Sequence, residues 1–238
     1  MQNGKTLIFT IAFNRLEMIK FSILSVTTHA KNARFVIWDN ASDRKLLDFC
    51  RYIVKNNTEK SLEIIYFASK NIGLNAAKEI VEKFSDGCEF IMSVDEDILY
   101  LPFNFQSDLQ YLLKQQVKPL GYVACNVIQD KLTNGAKPPE DNYEESDVGL
   151  PILIGPTGGW ASMTTSSVYQ KIGGYPQSSE GFYGLDGLFS KKCHEKGLYT
   201  ALSKNTICYH ATGPKWNHYF NYNGIYDKKL EMFKKSKK

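Results

Sequence analysis

The sequence predicts an α/β fold: a mixed, mostly parallel sheet with helices on both faces, in a single fused domain. Three observations carry that prediction. Short apolar runs alternate with amphipathic segments four times within the first 100 residues. Each run stops abruptly at polar residues, as buried strands do when they reach the edge of a core. The 238 residues, 43% hydrophobic and 23% charged, are enough for one large soluble α/β domain or for two small ones. Repeated strand-to-helix units favour parallel pairing, because the helix is the crossover that returns the chain to the starting edge.

Thr6 to Ala12 is the first strand-like run. It passes through Phe13-Asn14-Arg15 into a segment whose Leu16, Ile19, Ile23 and Val26 recur at helical spacing. Phe35 to Trp38 is the second run, closed by Asp39-Asn40-Ala41-Ser42-Asp43. A helix to about Val54 follows, with Asp43 as its cap. Leu62 to Phe67 is the third, ended by Ser69-Lys70-Asn71-Ile72-Gly73, with a helix from Leu74 to Phe84. The fourth run starts at Glu89 and ends in Asp95-Glu96-Asp97. In sheets of this kind ligands sit beyond the carboxyl ends of the strands, where these polar groups fall.

The acidic triplet is the sharpest chemical signal. Residues two apart on an extended chain point the same way, so Asp95 and Asp97 converge while Glu96 points aside. Two converging carboxylates suit Mg²⁺ or Mn²⁺, which fill their shells with the oxygens of a substrate diphosphate. A solvated acidic turn is the competing reading. No Gly-X-Gly-X-X-Gly fingerprint follows the first strand and no Gly-Lys-Ser/Thr loop occurs, so a nucleotide would be held by separate loops and a metal.

The second half is less regular. Asn104 to Gln116 reads as an amphipathic helix and Gly121 to Val127 as a strand. Gln129 to Gly149 is polar without apolar period, and reads as a mobile flap, an acceptor loop or a surface insertion. Ile154-Gly155-Pro-Thr-Gly158-Gly159-Trp160 opens a strand-like run to about Thr164, and Ser166 to Ile172 is a short helix closed by Gly173-Gly174. Phe182-Tyr183-Gly184-Leu185-Asp186 leads into a helix from Gly187 to Lys196, with Asp186 a candidate N-cap. Thr206 to His210 is the last apolar run, before an aromatic and basic tail at 213–238.

Taken together, the Asn14-Arg15 loop, Val36-Ile-Trp-Asp39-Asn40-Ala-Ser42-Asp43, Asn71-Ile-Gly73, Asp95-Glu-Asp97, Ile172-Gly-Gly-Tyr175 and Phe182-Tyr-Gly-Leu-Asp186 resemble the family 2 glycosyltransferases across roughly residues 5 to 212. The resemblance implies a GT-A fold. Its Rossmann-like nucleotide-sugar-binding half would be residues 1–100 and its acceptor-binding half 101–212. It also implies transfer of a sugar, with inversion, from a UDP-like nucleotide diphosphate to an acceptor hydroxyl. Carried over by residue, Phe13, Asn14, Arg15, Asp39, Asn71, Gly73, Lys78, Asp95 and Glu96 would bind the nucleotide. Asp39 would accept from the base, a role suited to a group that only accepts. Lys78 stands where the family usually has arginine, which keeps charge and loses the bidentate fork. Asp97 and His210 would hold Mn²⁺ or Mg²⁺, Gly159 and Trp160 would line the donor sugar and acceptor, and Asp186 would be the base. Leu185 replaces the usual companion acid. Trp160 and His210 also have plain structural readings, as a packed indole and a strand-end imidazole.

The remaining chemistry narrows the partners without naming one. A formal charge of +4 is too small to declare a nucleic-acid binder. Five cysteines without Cys-X-X-Cys spacing read as reduced core thiols of a cytoplasmic protein. The expected acceptor is a bacterial surface glycan or lipid-linked glycan. The tail leaves room for peripheral membrane contact or for modified DNA, as in a phage-type enzyme acting on a hydroxymethylated base. A non-catalytic nucleotide-sugar-binding module and a metal-dependent phosphohydrolase are the readings from other classes.

Overall fold

The computed structural model describes residues 4–56, 62–130, 137–177, 184–212 and 214–220. Its first part follows the expected alternation: β1 (Thr6–Ala12), α1 (Leu16–His29), β2 (Ala33–Asp39), α2 (Arg44–Asn56), β3 (Leu62–Phe67), a 3₁₀ turn (Gly73–Asn75) with α3 (Ala76–Phe84), and β4 (Phe90–Val94). Then come β5 (Ile98–Tyr100), α4 (Phe105–Lys114), β6 (Leu120–Val127), a 3₁₀ turn at Glu140–Asn142, β7 (Glu144–Glu145), β8 (Ile152–Ile154), β9 (Ala161–Thr165), α5 (Ser166–Lys171), α6 (Leu185–Glu195), β10 (Tyr199–His210) and α7 (Pro214–Tyr219).

One sheet runs in the order β3-β2-β1-β4-β9-β6-β10-β8-β7. The β3-β2-β1-β4 stretch is parallel, β9 runs antiparallel between β4 and β6, and β6 and β10 are parallel. Alternation along β1 shows how both faces are covered. Ile8 packs with Ile19, Ile23 and Phe105 on the side of α1, α2 and α4, while Leu7 and Phe9 pack with Ala77, Ile80 and Phe189 on the side of α3 and α6. All five cysteines are buried free thiols, as expected.

The structure departs from expectation at β4. No helix follows that strand directly; the acidic turn sends the chain back as β5, which pairs antiparallel with the end of β10. β10 is also longer than the expected run from Thr206, because Thr200 to Ser203 pairs with β6 before an irregularity at Ser203/Ile207. Within the expected loop at 129–149, β7 forms the sheet edge against β8; residues 131–136 of that loop lie outside the described residues. Among the described residues no helix is long and apolar enough to cross a membrane.

Candidate functional site

Four loops converge at the carboxyl ends of β1 to β4 and are tied to one another by hydrogen bonds. The Phe13 N–H donates to Glu96 Oε2 (2.8 Å), and the Asn14 N–H donates to Ser42 Oγ (3.0 Å). The Asp43 N–H donates back to Asn14 Oδ1 (2.7 Å). Asn14 and Ala41 hold positive φ, 56° and 61°, at these turns. Asn40 ties in the third loop, donating from Nδ2 to the Gly73 carbonyl (3.0 Å) and accepting from the Ile72 N–H (3.1 Å). Asn71 Oδ1 then accepts from the N–H of Gly73, whose φ of 61° suits glycine.

The acidic turn is braced from every side. The Asp95 N–H donates to the Trp160 carbonyl (2.7 Å), the Ala211 N–H donates to the Asp97 carbonyl (2.8 Å), and Ser22 Oγ donates from α1 to the carbonyls of Asp95 (2.9 Å) and Ile98 (2.8 Å). Arg15, 4% exposed, places Nη1 2.6 Å from Asp97 Oδ2 and Nε 3.5 Å from Glu96 Oε1. Burial works against its charge, and Asp97 and Glu96 outweigh burial, so the guanidinium stays firmly protonated.

His210 Nε2 donates to Asp97 Oδ1 (3.0 Å) and lies 3.8 Å from Asp95 Oδ2. Burial alone would lower the imidazole pKa; Asp97 and Asp95 prevail and hold it at about 9. One ligand atom from each of Asp95, Asp97 and His210 falls within a span of 4.8 Å. Two oxygens and an imidazole nitrogen at that spacing fit a hard or borderline divalent cation, which would take the place of the imidazole proton. His210 Nδ1 is buried without a hydrogen-bond partner among the described residues.

A cleft of about 260 Å³ runs from this cluster across β4 to the start of α6. Arg15, Asp95, Glu96, Asp97, Gly159 and Asp186 are among the residues that line it. Asp186 lies in the first turn of α6, its Oδ2 accepting from the Gly159 N–H (3.2 Å). Asp186 is not the N-cap: Gly184 is, at φ 74°, which leaves the carboxylate inside the helix and turned to the cleft. Leu185, where the resemblance leads one to expect an acid, is 5% exposed and packs in the core while lining the cleft.

Several expected site residues do not turn a side chain to this cleft or do not line it. Trp160 is corrected from sugar platform to core residue: it is 6% exposed, its Nε1 donates to the Cys125 carbonyl (2.9 Å), and a Cβ on Gly158 would stand 2.1 Å from its ring. Its ring packs beside His210, with centroids 6.2 Å apart, and its carbonyl accepts from the Asp95 N–H. Lys78 pairs along α3 with Glu82 (3.7 Å) and does not line the cleft, although Ala77 beside it does. Asp39 is 1% exposed, accepts from the Ser42 N–H (3.3 Å), and has its pKa raised by burial. Asp43 is the cap of α2, accepting from the N–H groups of Lys45 and Leu46. Phe13, Asn14, Asn71 and Gly73 belong to the tied loops rather than the cleft wall. Residues 178–183, with Phe182 and Tyr183, and the tail from 221 lie outside the described residues.

Sequence reasoning gave no role to Ser22, which braces the acidic turn, or to Ser93 and Tyr122, which line the cleft; it quoted Asn40, which ties the second and third loops, and Tyr175, which lines the cleft, within motifs without a role.

No protein-family model and no curated protein matches the sequence. Solved structures do match. The mannosyltransferase PcManGT from Pyrobaculum calidifontis, in complex with GDP-Man and Mn²⁺, aligns at TM-score 0.69 and 14% identity over 90% of this chain and 59% of that one. GalNAc-T7 with UDP, GalNAc and Mn²⁺ aligns at 0.68 and 12% identity, over 88% of this chain and 44% of that one. S. aureus TarS 1-349 aligns at 0.58 and 15% identity, over 88% and 58%. The chain thus spans 44 to 59% of the length of these structures. It has the GT-A fold that these glycosyltransferases share.

Proposed function

We propose that this chain transfers a sugar from a nucleoside diphosphate donor to an acceptor hydroxyl, with inversion at the anomeric carbon. One observation carries the reading: a single cleft is lined both by Asp95 and Asp97 of the carboxylate–imidazole cluster and by the helix-anchored Asp186. An inverting transfer needs both functions in one site, a cluster that offsets the charge of the leaving diphosphate and a base for the attacking hydroxyl.

Asp95, Asp97 and His210 would hold Mn²⁺ or Mg²⁺, which when bound offsets the negative charge of the departing diphosphate. Arg15 keeps the acids from repelling one another and fixes Asp97 in orientation. Asp186 takes the proton from the acceptor oxygen as that oxygen bonds to the anomeric carbon; the bond from that carbon to the phosphate oxygen breaks, and the nucleoside diphosphate leaves with the electron pair. The bond from the Gly159 N–H orients the carboxylate. GDP-Man with Mn²⁺ in one structural neighbour, and UDP, GalNAc and Mn²⁺ in another, support this reading. The acceptor class we propose is a bacterial surface or lipid-linked glycan, reached from the cytoplasmic side.

The test is release of nucleoside diphosphate from a panel of nucleotide sugars with Mn²⁺, for the parent and for Asp186→Asn. The variant should lose about 10²–10⁴-fold in rate while binding donor as before. Release of inorganic phosphate instead would mark a phosphohydrolase. Donor binding without turnover, unchanged in the variant, would mark a binding module.

A further inference from the structure

The acidic turn and Asp186 are both bonded to one short stretch of backbone at the entrance to β9. The Trp160 carbonyl accepts from the Asp95 N–H (2.7 Å), which extends the β4–β9 ladder by one bond past Val94 and Ala161. One residue earlier, Gly159 is bonded to side chains instead. Its N–H donates to Asp186 Oδ2 (3.2 Å), and its carbonyl accepts from Ser93 Oγ (3.0 Å). Packing does little to hold this residue. Among the described residues, a Cβ built on Gly159 would meet, apart from its chain neighbours, only the Asp186 Cβ, at 3.7 Å.

Glycine has the most freely rotating backbone of any residue, so the direction of the Gly159 N–H depends on what fixes its other polar group. That group is the carbonyl, and Ser93 holds it. Ser93 is itself firmly placed: its backbone lies in β4 between Phe9 of β1 and Ser162 of β9. Its Oγ lies 3.0 Å from Ser162 Oγ, and Ser162 Oγ lies 2.5 Å from the Tyr122 hydroxyl. Ser162 and Tyr122 are 0% and 1% exposed, so these hydroxyls form a buried chain behind Ser93 that restricts its rotamer. Rigidity passes from the core through Ser93 to Gly159, and from Gly159 to the carboxylate. A hydroxyl that merely closed the end of the ladder would stabilise the fold equally whatever residue stood at 186.

We infer that Ser93 is a positioning residue for the proton transfer: through the Gly159 carbonyl it fixes the Gly159 N–H, and through that N–H it aims the Asp186 carboxylate. The inference rests on the reading of Asp186 as the base given above. It requires no contact between Ser93 and the reacting atoms, so its effect belongs in the chemical step and not in donor binding.

The test measures release of nucleoside diphosphate from UDP-Glc, UDP-GlcNAc and GDP-Man, with Mn²⁺ and with water as the acceptor. It compares the full chain with Ser93→Ala, Ser93→Thr, Asp186→Asn and the double variant of Ser93→Ala with Asp186→Asn. Ser93→Ala should lower kcat by about 3–10-fold, the loss of one aimed hydrogen bond, while donor KM stays within about twofold of the parent's. Ser93→Thr keeps the hydroxyl and should recover most of that loss. In the Asp186→Asn background, Ser93→Ala should cost less than about twofold, because the group it aims is no longer a base. An equal loss in both backgrounds, a loss in KM rather than in kcat, an unchanged kcat, or no recovery in Ser93→Thr overturns the inference and leaves Asp186 as the base. A parent that releases no nucleoside diphosphate, or that Asp186→Asn matches in rate, removes the base reading and the role of Ser93 with it.

Discussion

Replacing Arg15 by glutamine isolates the charge that holds the acidic turn together. The guanidinium is 4% exposed and lies between Asp97, at 2.6 Å, and Glu96, at 3.5 Å, whose side chains are 12% and 11% exposed. Removing one partner from a buried ionic cluster costs about 3–5 kcal/mol, because the charges left behind keep their desolvation penalty without its compensation. His210 remains against Asp97, so the loss should fall at the lower end, about 3 kcal/mol. In a chain of 238 residues, each kcal/mol moves Tm by about 2–4 °C, so the midpoint should fall by about 6–12 °C. The cation experiment has the opposite sign. With the fixed positive charge gone, Mn²⁺ meets less repulsion and more uncompensated carboxylate, and should raise the Tm of the variant by more than that of the parent. Differential scanning calorimetry in chelator and in millimolar Mn²⁺ measures both effects. A fall under about 2 °C, or an equal Mn²⁺ effect on both proteins, would refute the view that Arg15 balances this cluster.

Asn40→Ala removes the link between the second and third loops, two hydrogen bonds to Ile72 and Gly73. Urea unfolding should show a loss of about 1–3 kcal/mol, and titration should show weakened nucleotide binding alongside it. Trp160→Phe deletes the indole bond to Cys125 and leaves space in the core. It should cost about 1–3 kcal/mol in the same unfolding assay without changing which donor is preferred; a changed preference would restore the indole to the sugar site.

The parallel half was legible because its signals are local. Each apolar run of 5 to 7 residues in β1 to β4 ends at the polar loop the sequence shows, and Asp43 caps α2 from the position its type suggests. The second half depends on long-range pairing. Thr200 to Ser203 joins β10 because β6 lies along one side and β8 along the other, and the short pair β7 and β8 takes its strand geometry from the sheet edge it extends. In the site, residue types were legible where chemistry is scarce: Asp95, Asp97 and His210 do come together. Direction was not. Nothing in the spacing reveals that the Trp160 indole turns into the core, that Gly184 rather than Asp186 caps α6, or that Lys78 lies along its own helix toward Glu82. Arg15 was placed in the right loop, but its neighbours, Asp97 at 82 residues' separation and Glu96, are what make it a counter-charge. Tyr175 entered the sequence reading only as the end of the Ile172-Gly-Gly-Tyr175 motif, without a role; its burial beside the cleft is a property of the fold.

The most direct measurement of the central claim is calorimetric titration of UDP into the parent and into Asp97→Ala, each with and without Mn²⁺. The account predicts binding that requires Mn²⁺ in the parent and is lost in Asp97→Ala. Absence of nucleotide binding under every condition, or binding indifferent both to Mn²⁺ and to Asp97, would contradict it and leave the acidic turn a structural feature of the sheet edge.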